Sequence, residues 1–494
     1  MAAISKSLQT MSTTTFNPSE AATVRTSSRI AWLGFAVVVA ASVMDLLDST
    51  IAQTAAPAIR RDLGGSYASL EWISAAYTLA MAITLLLGSR LGDMFGRRRV
   101  LLCGIGGFVA ASALCSLAPD PTALIAGRAL QGAVAAIMVP QGFGLIRELF
   151  GDAGQQKAFG VFGPIMGLAA VAGPLVGGGL VDANLLGTGW RAIFLVNVPV
   201  GLIALVAGRR FLPRRAPVTP GGRLDVPSVA LAMVGGFALV YPLIEGREHG
   251  WPAWSFALLA TGVITLSVFG LLQARRSRQG RTPLVEPSIL RRRAYVAGLA
   301  VVLGFIGAMG GVMIALNVMF QTGLGLTPLA CAVATVAIPV AAIGGSITSS
   351  TLLPKIGRHT MHIGIVVMAA GLIVADVVMR SAGGGLTPWD LAGPLTITGF
   401  GMGMVFVPMF DVILAGVASH ELGSASGLLE SIQQLAMSIG IAAVGTVLFD
   451  HLGGGHGAVA FVSASDRALL VAVAFLAAAC AAVFWLPRHA RAAH

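Results

Sequence analysis

Long apolar stretches separated by short polar loops dominate the pattern of this chain. A helix that crosses a bilayer needs about 20 predominantly apolar residues, and fourteen stretches approach or exceed that length. The intervening segments are too short to form soluble domains, so the chain is predicted to be an all-α membrane protein. The predicted spans are 30–53, 70–91, 99–119, 122–147, 157–181, 192–212, 226–246, 254–273, 294–320, 326–350, 360–380, 390–416, 423–448 and 467–486.

The composition agrees with a lipid environment. Of the 494 residues, 56% are hydrophobic and 11% are charged, whereas a soluble domain carries about 25% charged residues. The 63 glycines suit membrane helices, in which small residues bring backbones close together. The cysteines lie in apolar stretches without metal-ligand spacing, so neither a disulfide framework nor a metal site is expected.

Positive charge is distributed unevenly between the two sides of the predicted bundle. With the N-terminus in the cytoplasm, 25 of the 32 Lys and Arg residues fall on the cytoplasmic side and six on the outer side. Cytoplasmic loops of membrane proteins carry such an excess. The bias predicts an even number of spans with both termini in the cytoplasm. The arginines lie in separate short loops rather than along one stripe, which argues against nucleic-acid binding despite the net charge of +11.

A weak internal repeat divides the chain. Leu91-Gly-Asp-Met-Phe-Gly-Arg-Arg98 follows the second span, and Leu352-Leu-Pro-Lys-Ile-Gly-Arg-His359 follows the tenth, although Gly-Arg can also recur in loops by chance. The repeat predicts two six-helix halves with two inserted helices between them. The predicted organisation is a disordered cytoplasmic tail at 1–29, an N-terminal half at 30–212, a linker with two extra spans at 213–293, a C-terminal half at 294–487 and a cytoplasmic tail at 488–494.

Charged residues inside the predicted spans are candidates for function. An Asp or Arg at the centre of a membrane helix costs about 2.5–3.5 kcal/mol on insertion scales. Asp45 and Asp48 share one face of the first span, because residues three apart are neighbours on a helix. Arg128 lies in the fourth span, at a distance from its outer end similar to that of Asp48 in the first span. These equal depths predict an interaction across the interior.

This arrangement predicts a proton switch. Burial and a neighbouring like charge favour the neutral carboxyl, whereas a nearby arginine favours the charged form. A group held between these influences can release a proton in one conformation and bind one in the other. We predict Asp48 as the main proton-coupling acid, Asp45 as the close alternative and Arg128 as their partner. The competing interpretation is a static ion pair that locks the first span to the fourth.

A second polar group is predicted in the C-terminal half. Glu430, Gln433 and Gln434 lie on about one turn of the thirteenth span and can bind a cationic substrate or a second proton. The alternative is a carboxylate solvated at the cytoplasmic mouth. Tyr77 and Met313 belong to a set of aromatic and methionine side chains that can line an adaptable apolar pocket, with ordinary helix or lipid packing as the alternative.

Two further segments are predicted to control the conformational change. Asp93, with Arg97, lies in a cytoplasmic loop from which a carboxylate can face the positive end of a helix such as span 13; the alternative is ordinary anchoring by positive charge. In the fifth span, small residues and one proline allow close packing against the other half and a hinge, with packing alone as the alternative. These residues are Gly173, Pro174, Gly177 and Gly178.

Several motifs occur in order, each at the end of the helix where a known family has it. In this respect the chain resembles the fourteen-span drug:proton antiporter family of the major facilitator superfamily, although Ser89 stands where that family usually has a glycine. The motifs are Leu47-Asp48-Ser49-Thr50, Arg90-Leu91-Gly92-Asp93-Met94-Phe95-Gly96-Arg97-Arg98, Arg128-Ala-Leu-Gln131-Gly132, Gly173-Pro174-Leu-Val-Gly177-Gly178 and Trp190-Arg191-Ala-Ile-Phe194-Leu-Val-Asn197-Val-Pro199-Val-Gly201.

The resemblance implies a major facilitator fold in the cell membrane. It further implies proton-coupled export of small amphipathic or cationic compounds by a protein that functions as a monomer, without a cofactor. It adds Gln131 and Gln321 to the candidate substrate-cavity residues. It also implies that contacts of the Asp93 loop hold the outward-facing state closed on the inside.

Two other functions stay open at this point. The first is a dedicated exporter of one secondary metabolite, lipid or siderophore, which the resemblance does not separate from a multidrug pump. The second is a membrane-embedded enzyme or receptor without transport. No motif supports that second class: the three lysines lie outside any Gly-rich phosphate loop, and hydrolase and metal-ligand signatures are absent from the sequence.

Overall fold

The computed structural model describes residues 28–214, 225–281, 283–414, 417, 421–455 and 457–486. Fourteen helical segments in this part of the chain are long and apolar enough to cross a membrane, which confirms the predicted number. The predicted tail 488–494 and nearly all of the predicted tail 1–29 lie outside the described residues. Numbered as spans 1 to 14, the segments are Arg29–Leu63, Tyr67–Leu85, Arg97–Ser116, Pro121–Gly151, Lys157–Ala183, Gly189–Phe211, Val226–Glu248, Ala253–Arg278, Arg293–Gly323, Pro328–Ile356, His359–Gly385, Pro388–Leu414, Ser424–Leu452 and Ala458–Val483.

Helices are the sole regular secondary structure among the described residues. Some spans are built from more than one helix, and one helix contributes two spans. The α-helices run Ser28–Leu63, Tyr67–Phe95, Arg97–Ser116, Pro121–Ala183, Ala192–Leu195, Asn197–Phe211, Val226–Glu248, Ala253–Arg278, Pro287–Leu290, Arg293–Val318, Pro328–Thr335, Ala337–Ile356, His359–Ala382, Ala392–Leu414, Leu422–Leu452 and Ala458–Val483.

Spans 4 and 5 belong to one helix that breaks at a single glycine. Gly151 has φ 64° and ψ −179°, a conformation that residues with a Cβ rarely adopt. The helix starts with Asp120, whose Oδ1 accepts a hydrogen bond of 2.8 Å from the backbone N–H of Ala123, and with Pro121, whose missing N–H is tolerated in the first turn. This kink at Gly151 separates span 4 from span 5.

The spans form two six-helix halves. Spans 1 to 6 pack on one another, as do spans 9 to 14. The halves meet where span 2 packs on span 13 and where span 5 packs on the start of span 10. Span 7 packs against both span 2 and span 13, and span 8 packs on span 7. The predicted fold class, two halves with two inserted helices, is therefore confirmed.

Two predicted boundaries are wrong because charged residues were assigned to loops. Span 1 ends at Leu63 rather than at residue 53, and span 14 begins at Ala458 rather than at residue 467. In span 1, the Arg60 guanidinium lies 3.8 Å from the centre of the Tyr67 ring. In span 14, Asp466 accepts a hydrogen bond of 3.1 Å from Arg380. Arg60 and Asp466 each have a partner nearby in space, so the helix continues through the charged residue.

Glycine allows spans 2 and 4 to cross in direct backbone contact. A Cβ at Gly132 would lie 2.1 Å from the Tyr77 carbonyl oxygen, and one at Gly88 would lie 2.0 Å from the Ala136 carbonyl oxygen. Neither contact can be relieved by moving a flexible side chain. These crossings fix the distance between Tyr77 on span 2 and Arg128 on span 4.

We predict that Gly132→Ala destabilises the protein. The added methyl group must push two helices apart, and overpacking of this kind costs about 1–3 kcal/mol. The measurement is the thermal melting temperature of the purified protein in detergent. Gly106→Ala is the matched control, since a Cβ there meets no atom within 4 Å. A Gly132→Ala variant that melts with the control would contradict the crossing described here.

Candidate functional site

Arg128 lies at the centre of a polar network inside the N-terminal half. Its side chain is 1% exposed. Its Nε donates to the Ile73 carbonyl oxygen at 3.0 Å, and Nη1 donates to Gln131 Oε1 at 2.7 Å and to Asp48 Oδ2. The guanidinium also lies over the Tyr77 ring, 4.2 Å from its centre. A buried cation needs such a complete set of partners, because its desolvation is costly.

Asp48 is bonded at both carboxylate oxygens. Besides the contact with Arg128, its Oδ1 accepts hydrogen bonds of 2.7 Å from Gln131 Nε2 and from Asn197 Nδ2. The Ser112 hydroxyl completes the network by accepting from Gln131 at 2.9 Å and from Asn197 at 3.2 Å. Spans 1, 2, 3, 4 and 6 are thereby joined. The geometry is that of the static ion pair weighed above as the alternative to a proton switch.

Asp48 and Arg128 meet, although the depth of Asp48 was predicted from residue 53 and span 1 in fact ends at Leu63. Asp48 is much farther from Leu63, the observed end of its span, than Arg128 is from Pro121. The end of span 1 thus extends past the start of span 4. The pairing itself was predicted correctly, but the reason given for it was not.

Asp45 has a different environment from Asp48. It lies one turn nearer the start of span 1, is half-buried, and accepts a hydrogen bond from the Tyr77 hydroxyl. The Tyr77 ring thus separates the Asp45 carboxylate from the Arg128 guanidinium. Asp45 is therefore held by one neutral donor, whereas Asp48 is held by a cation and two amides.

Of the polar residues of span 13, Glu430 lies near Asp45. Glu430, Gln433 and Gln434 are all partly buried, as is Met313 of span 9. The carboxyl groups of Glu430 and Asp45 are close enough for their charges to repel each other. The structure therefore brings one carboxylate from each half toward a shared interior.

The two glutamines added by the family resemblance lie elsewhere. Gln131 is fully buried inside the Arg128 network. Gln321, at the end of span 9, donates to the Thr54 carbonyl oxygen at 2.6 Å and to Asn317 Oδ1 at 3.3 Å. Gln321 thus joins the C-terminal half to span 1.

The loop residues predicted to gate the bundle pair with each other. Arg97 Nη2 lies 3.1 Å from Asp93 Oδ1, and Arg97 Nη1 lies 3.5 Å from Glu148 Oε1. The Asp93 side chain is 41% exposed. At the start of span 13, the Ser424 hydroxyl accepts instead from the backbone N–H of Glu286, at 3.0 Å. In this conformation Asp93 pairs with its own loop, and the linker before span 9 occupies the start of span 13.

The glycines of span 5 divide between two partners. A Cβ at Gly173 would meet Thr50, and one at Gly177 would meet Ile51, both on span 1 of the same half. A Cβ at Gly178 would lie 2.6 Å from the Leu329 Cα on span 10. Packing against the other half was therefore predicted correctly for Gly178 and wrongly for Gly173 and Gly177, because span 1 lies between them and the C-terminal half. Pro174 lies inside the same helix.

Sequence reasoning missed two groups of polar residues. Asn197 donates to Asp48, and Ser112 accepts from Gln131 and from Asn197. Asn197 belongs to one of the family motifs, but the motif did not indicate this role. Glu71 is fully buried in span 2, and its Oε1 lies 3.1 Å from Arg247 Nη1 on span 7. Glu71 could have been recognised as an acid inside a predicted span. Its partner was not expected there, because Arg247 was assigned to an outer loop.

Comparison with known proteins agrees with this architecture. Residues 38–441 match the Major Facilitator Superfamily. The chain belongs to that superfamily. The probable actinorhodin transporter of Streptomyces coelicolor is 44% identical over 424 residues, which cover 85% of this chain and 73% of that protein. The puromycin resistance protein pur8 of Streptomyces alboniger is 35% identical, covering 90% of this chain and 88% of that protein.

A solved structure shows the same fold at low sequence identity. The crystal structure of the peptide transporter POT in complex with sulfate superposes with a TM-score of 0.66 at 17% identity, covering 92% of this chain and 95% of that one. The Arg128 network therefore lies in the N-terminal half of a major facilitator fold, beside the seam between the halves.

We predict that the Asp48–Arg128 pair is required for stability. Arg128→Met leaves a buried carboxylate without its cation, and breaking a buried pair on one side costs about 3–5 kcal/mol. The double variant Asp48→Leu/Arg128→Met removes both charges and should recover a large part of that loss. The measurement is a double-mutant cycle of melting temperatures.

The control pair for this cycle is Asp93–Arg97. It is partly exposed, and exposed pairs contribute about 0–1 kcal/mol. Asp93→Asn should therefore change the melting temperature little. Equal effects of the two pairs, or strictly additive effects at Asp48 and Arg128, would contradict a structural role of the buried pair.

Proposed function

We propose that this protein is a proton-coupled antiporter that exports small amphipathic or cationic compounds across the cell membrane. Membership of the superfamily and fourteen apolar helices support multi-pass transport of a small molecule. Relatives at 44% and 35% identity are a probable actinorhodin transporter and a puromycin resistance protein. The observation that carries the proton coupling is the pair of interior carboxylates, Asp45 and Glu430, contributed by opposite halves.

The proposed orientation places both termini in the cytoplasm, following the charge bias of the loops. With that orientation, the contacts between the halves lie toward the outer side. Gln321 binds Thr54 at 2.6 Å, and the Thr78 and Ser438 hydroxyls lie 2.6 Å apart. Nearer the cytoplasm, a Cβ at Gly160, Gly163 or Gly167 of span 5 would meet no atom within 4 Å. These contacts support an inward-facing conformation, sealed on the outside.

In this proposal the halves 30–212 and 294–487 rock about the interior while the linker 213–293 connects them. Asp93 would leave Arg97 for the start of span 13 when the cytoplasmic side closes. The bilayer supplies the apolar surroundings of the spans, and a single chain suffices, because both halves of the site come from one chain.

We propose Asp45, rather than Asp48, as the acid that gains and loses the coupling proton. Asp48 has a cation and two amide donors, so a proton could reach it only by disrupting the Arg128 network. Asp45 has one donor, the Tyr77 hydroxyl, and a like charge nearby on Glu430. Through Tyr77, which also lies over Arg128, a change at Asp45 can reach the network without breaking it.

The proposed substrate cavity lies between Asp45 and span 13, with Glu430, Gln433, Gln434, Tyr77 and Met313 as lining residues. Two carboxylates facing one interior attract a cation, and a cation or a proton relieves their repulsion. Methionine and aromatic side chains adapt to apolar substrates of different shape. Binding of substrate and of protons would then compete, as an exchange mechanism requires.

A dedicated exporter of one secondary metabolite is the second candidate. It is favoured by the identity of 44% to the probable actinorhodin transporter. Competition experiments separate the two candidates: a multidrug pump is inhibited by many unrelated lipophilic cations, whereas a dedicated exporter is inhibited by one chemical class.

We predict that Asp45→Asn abolishes efflux driven by a pH gradient while substrate exchange without a gradient persists. The amide keeps the hydrogen bond with Tyr77 but cannot bind a proton. The measurement is transport by the purified protein in proteoliposomes with an imposed pH gradient. Asp376→Asn is the control, since Asp376 pairs with Arg380 within span 11 and has no described contact with Tyr77 or Glu430. Full gradient-driven efflux by Asp45→Asn would refute the assignment.

We predict that Glu430→Gln weakens transport of cations more than transport of neutral compounds. Loss of one charge near a monovalent cation costs about 1–2 kcal/mol at a partly solvated site, which corresponds to about a tenfold rise in the apparent KM. The measurement is a comparison of KM values for matched cationic and neutral substrates in the same vesicles. Equal changes for both classes would mean that Glu430 is not a substrate contact.

A further inference from the structure

The outer end of span 7 is bonded to both halves of the transporter. On the side of span 2, Arg247 Nη1 lies 3.1 Å from Glu71 Oε1, and Glu245 accepts from the Trp72 indole N–H at 2.8 Å. On the side of span 13, the same Arg247 nitrogen donates to the Gly445 carbonyl oxygen at 3.1 Å. One guanidinium nitrogen therefore holds together helices that belong to opposite halves.

This cluster is buried and tightly packed. Glu71 is fully buried, and the Arg247 side chain is 8% exposed. The Arg247 guanidinium lies 4.8 Å from the centre of the Phe449 ring, and Phe449 stacks on Tyr67 with ring centres 4.4 Å apart. A Cβ at Gly445 would lie 2.4 Å from Glu71 Oε1, so the absence of a side chain there lets the carboxylate reach span 13.

The cluster also lies at the place where the halves must separate. Opening toward the outer side moves span 2 away from span 13, and Arg247 cannot then keep both Glu71 and Gly445. The charged groups that act on Glu71 all come from span 7: Arg247 attracts it, and Glu248 and Glu245 repel it. Span 13 faces this cluster with the uncharged backbone of Gly445.

We propose that Glu71 and Arg247 form a proton-operated latch on the outer side. A proton from the outer medium binds the Glu71 carboxylate, the ion pair with Arg247 is lost, and spans 2 and 13 separate while Arg247 reaches water. Glu71 Oε2 accepts no hydrogen bond within the described part of the chain, so a proton added there displaces no donor. When the outer side closes, the proton returns to the outer medium, so Glu71 gates the cycle without carrying the transported proton.

This inference rests on the proposed function, because it supplies the outer gate of a proton-driven cycle. It also gives the inserted span 7 a role: it carries the cation that joins the halves. Opening is then favoured when protons are abundant outside, which is the condition under which Asp45 can be loaded. The latch can nevertheless be tested without transport, so its failure and the failure of proton coupling at Asp45 can be distinguished.

The experiment measures the distance between spin labels on the two halves by pulsed electron paramagnetic resonance. The labelled variants are Leu117→Cys and Val459→Cys, at positions 76% and 64% exposed near the outer ends of spans 3 and 14. Cys103 and Cys480 are replaced by Ala, whereas Cys115 and Cys331 are buried and stay. The full chain is placed in nanodiscs, without substrate or gradient, between about pH 8 and about pH 5, where perturbed carboxyl groups titrate.

Three pH profiles are expected, and they differ in sign. In the otherwise unmodified protein, the outer-open population rises as the pH falls, because protonation breaks the ion pair. In Glu71→Gln, that population is raised at least roughly fivefold at the higher pH and does not depend on pH. In Arg247→Met, it falls as the pH falls, because Glu71 without its cation can be buried only when neutral. A merely structural contact would not invert the profile.

Matched variants keep the test decisive. Glu245→Gln removes a carboxylate that repels Glu71 but leaves the Arg247 pair, so the profile should keep its sign while its transition moves to lower pH. Gly445→Ala pushes the Glu71 carboxylate from span 13 and should raise the open population without removing a charge, which covers the case in which Glu71→Gln fails to fold. Asp45→Asn should keep the latch profile even while it loses coupled transport. Original profiles in both Glu71→Gln and Arg247→Met would overturn the latch.

Discussion

The buried pair of Asp48 and Arg128 is the interaction on which the N-terminal half depends. Arg128 and Asp48 are 1% and 2% exposed, and burying either charge without the other would be costly. The surrounding amides and the Ser112 hydroxyl use the remaining lone pairs and protons, so five spans are fixed relative to one another. Major facilitator halves move as units, and a rigid half is what such a network provides.

The rigidity of the Arg128 network determines which partners remain for the second carboxylate of span 1, Asp45. Because Asp48 is committed to Arg128, Asp45 is left with a single donor, the Tyr77 hydroxyl. Tyr77 touches both groups, since its ring lies under the Arg128 guanidinium and its hydroxyl binds Asp45. Two acids within one turn of span 1 thus differ in their freedom: Asp48 is held by the Arg128 cation and two amides, whereas Asp45 is held by one hydroxyl.

The interface between the halves is formed by different contacts at its two ends. In the proposed orientation, its outer side contains the close contact of Gly178 with Leu329, the Thr78–Ser438 hydroxyl contact and the Glu71–Arg247–Gly445 cluster. At the opposite end, the linker before span 9 meets both halves: Glu286 binds Ser424 at the start of span 13, and Pro283 accepts from Arg90 in the helix that contains span 2. The inserted segment therefore touches the seam at both ends, through span 7 and through the linker.

The sequence by itself determined the membrane class, the number of spans and the identity of the central charges. Apolar length and loop charge depend on the bilayer, which acts on each segment separately, so these features can be derived without knowing how the helices pack. For the same reason, an acid or arginine inside a span could be marked as costly, as Asp45, Asp48 and Arg128 were. The family motifs then gave the fold, which the structure and the comparisons confirm.

Tertiary structure decided which charges meet and which remain adjustable. The extension of span 1 to Leu63, the division of the span 5 glycines between span 1 and span 10, and the placement of Gln131 inside the network all follow from packing between segments distant in sequence. Arg247 shows the reason most clearly. Read along the chain, it is a loop arginine next to the end of a span, and it becomes a buried link between the halves because spans 2 and 13 surround it. Such a role depends on neighbours in space, and the local sequence does not contain them.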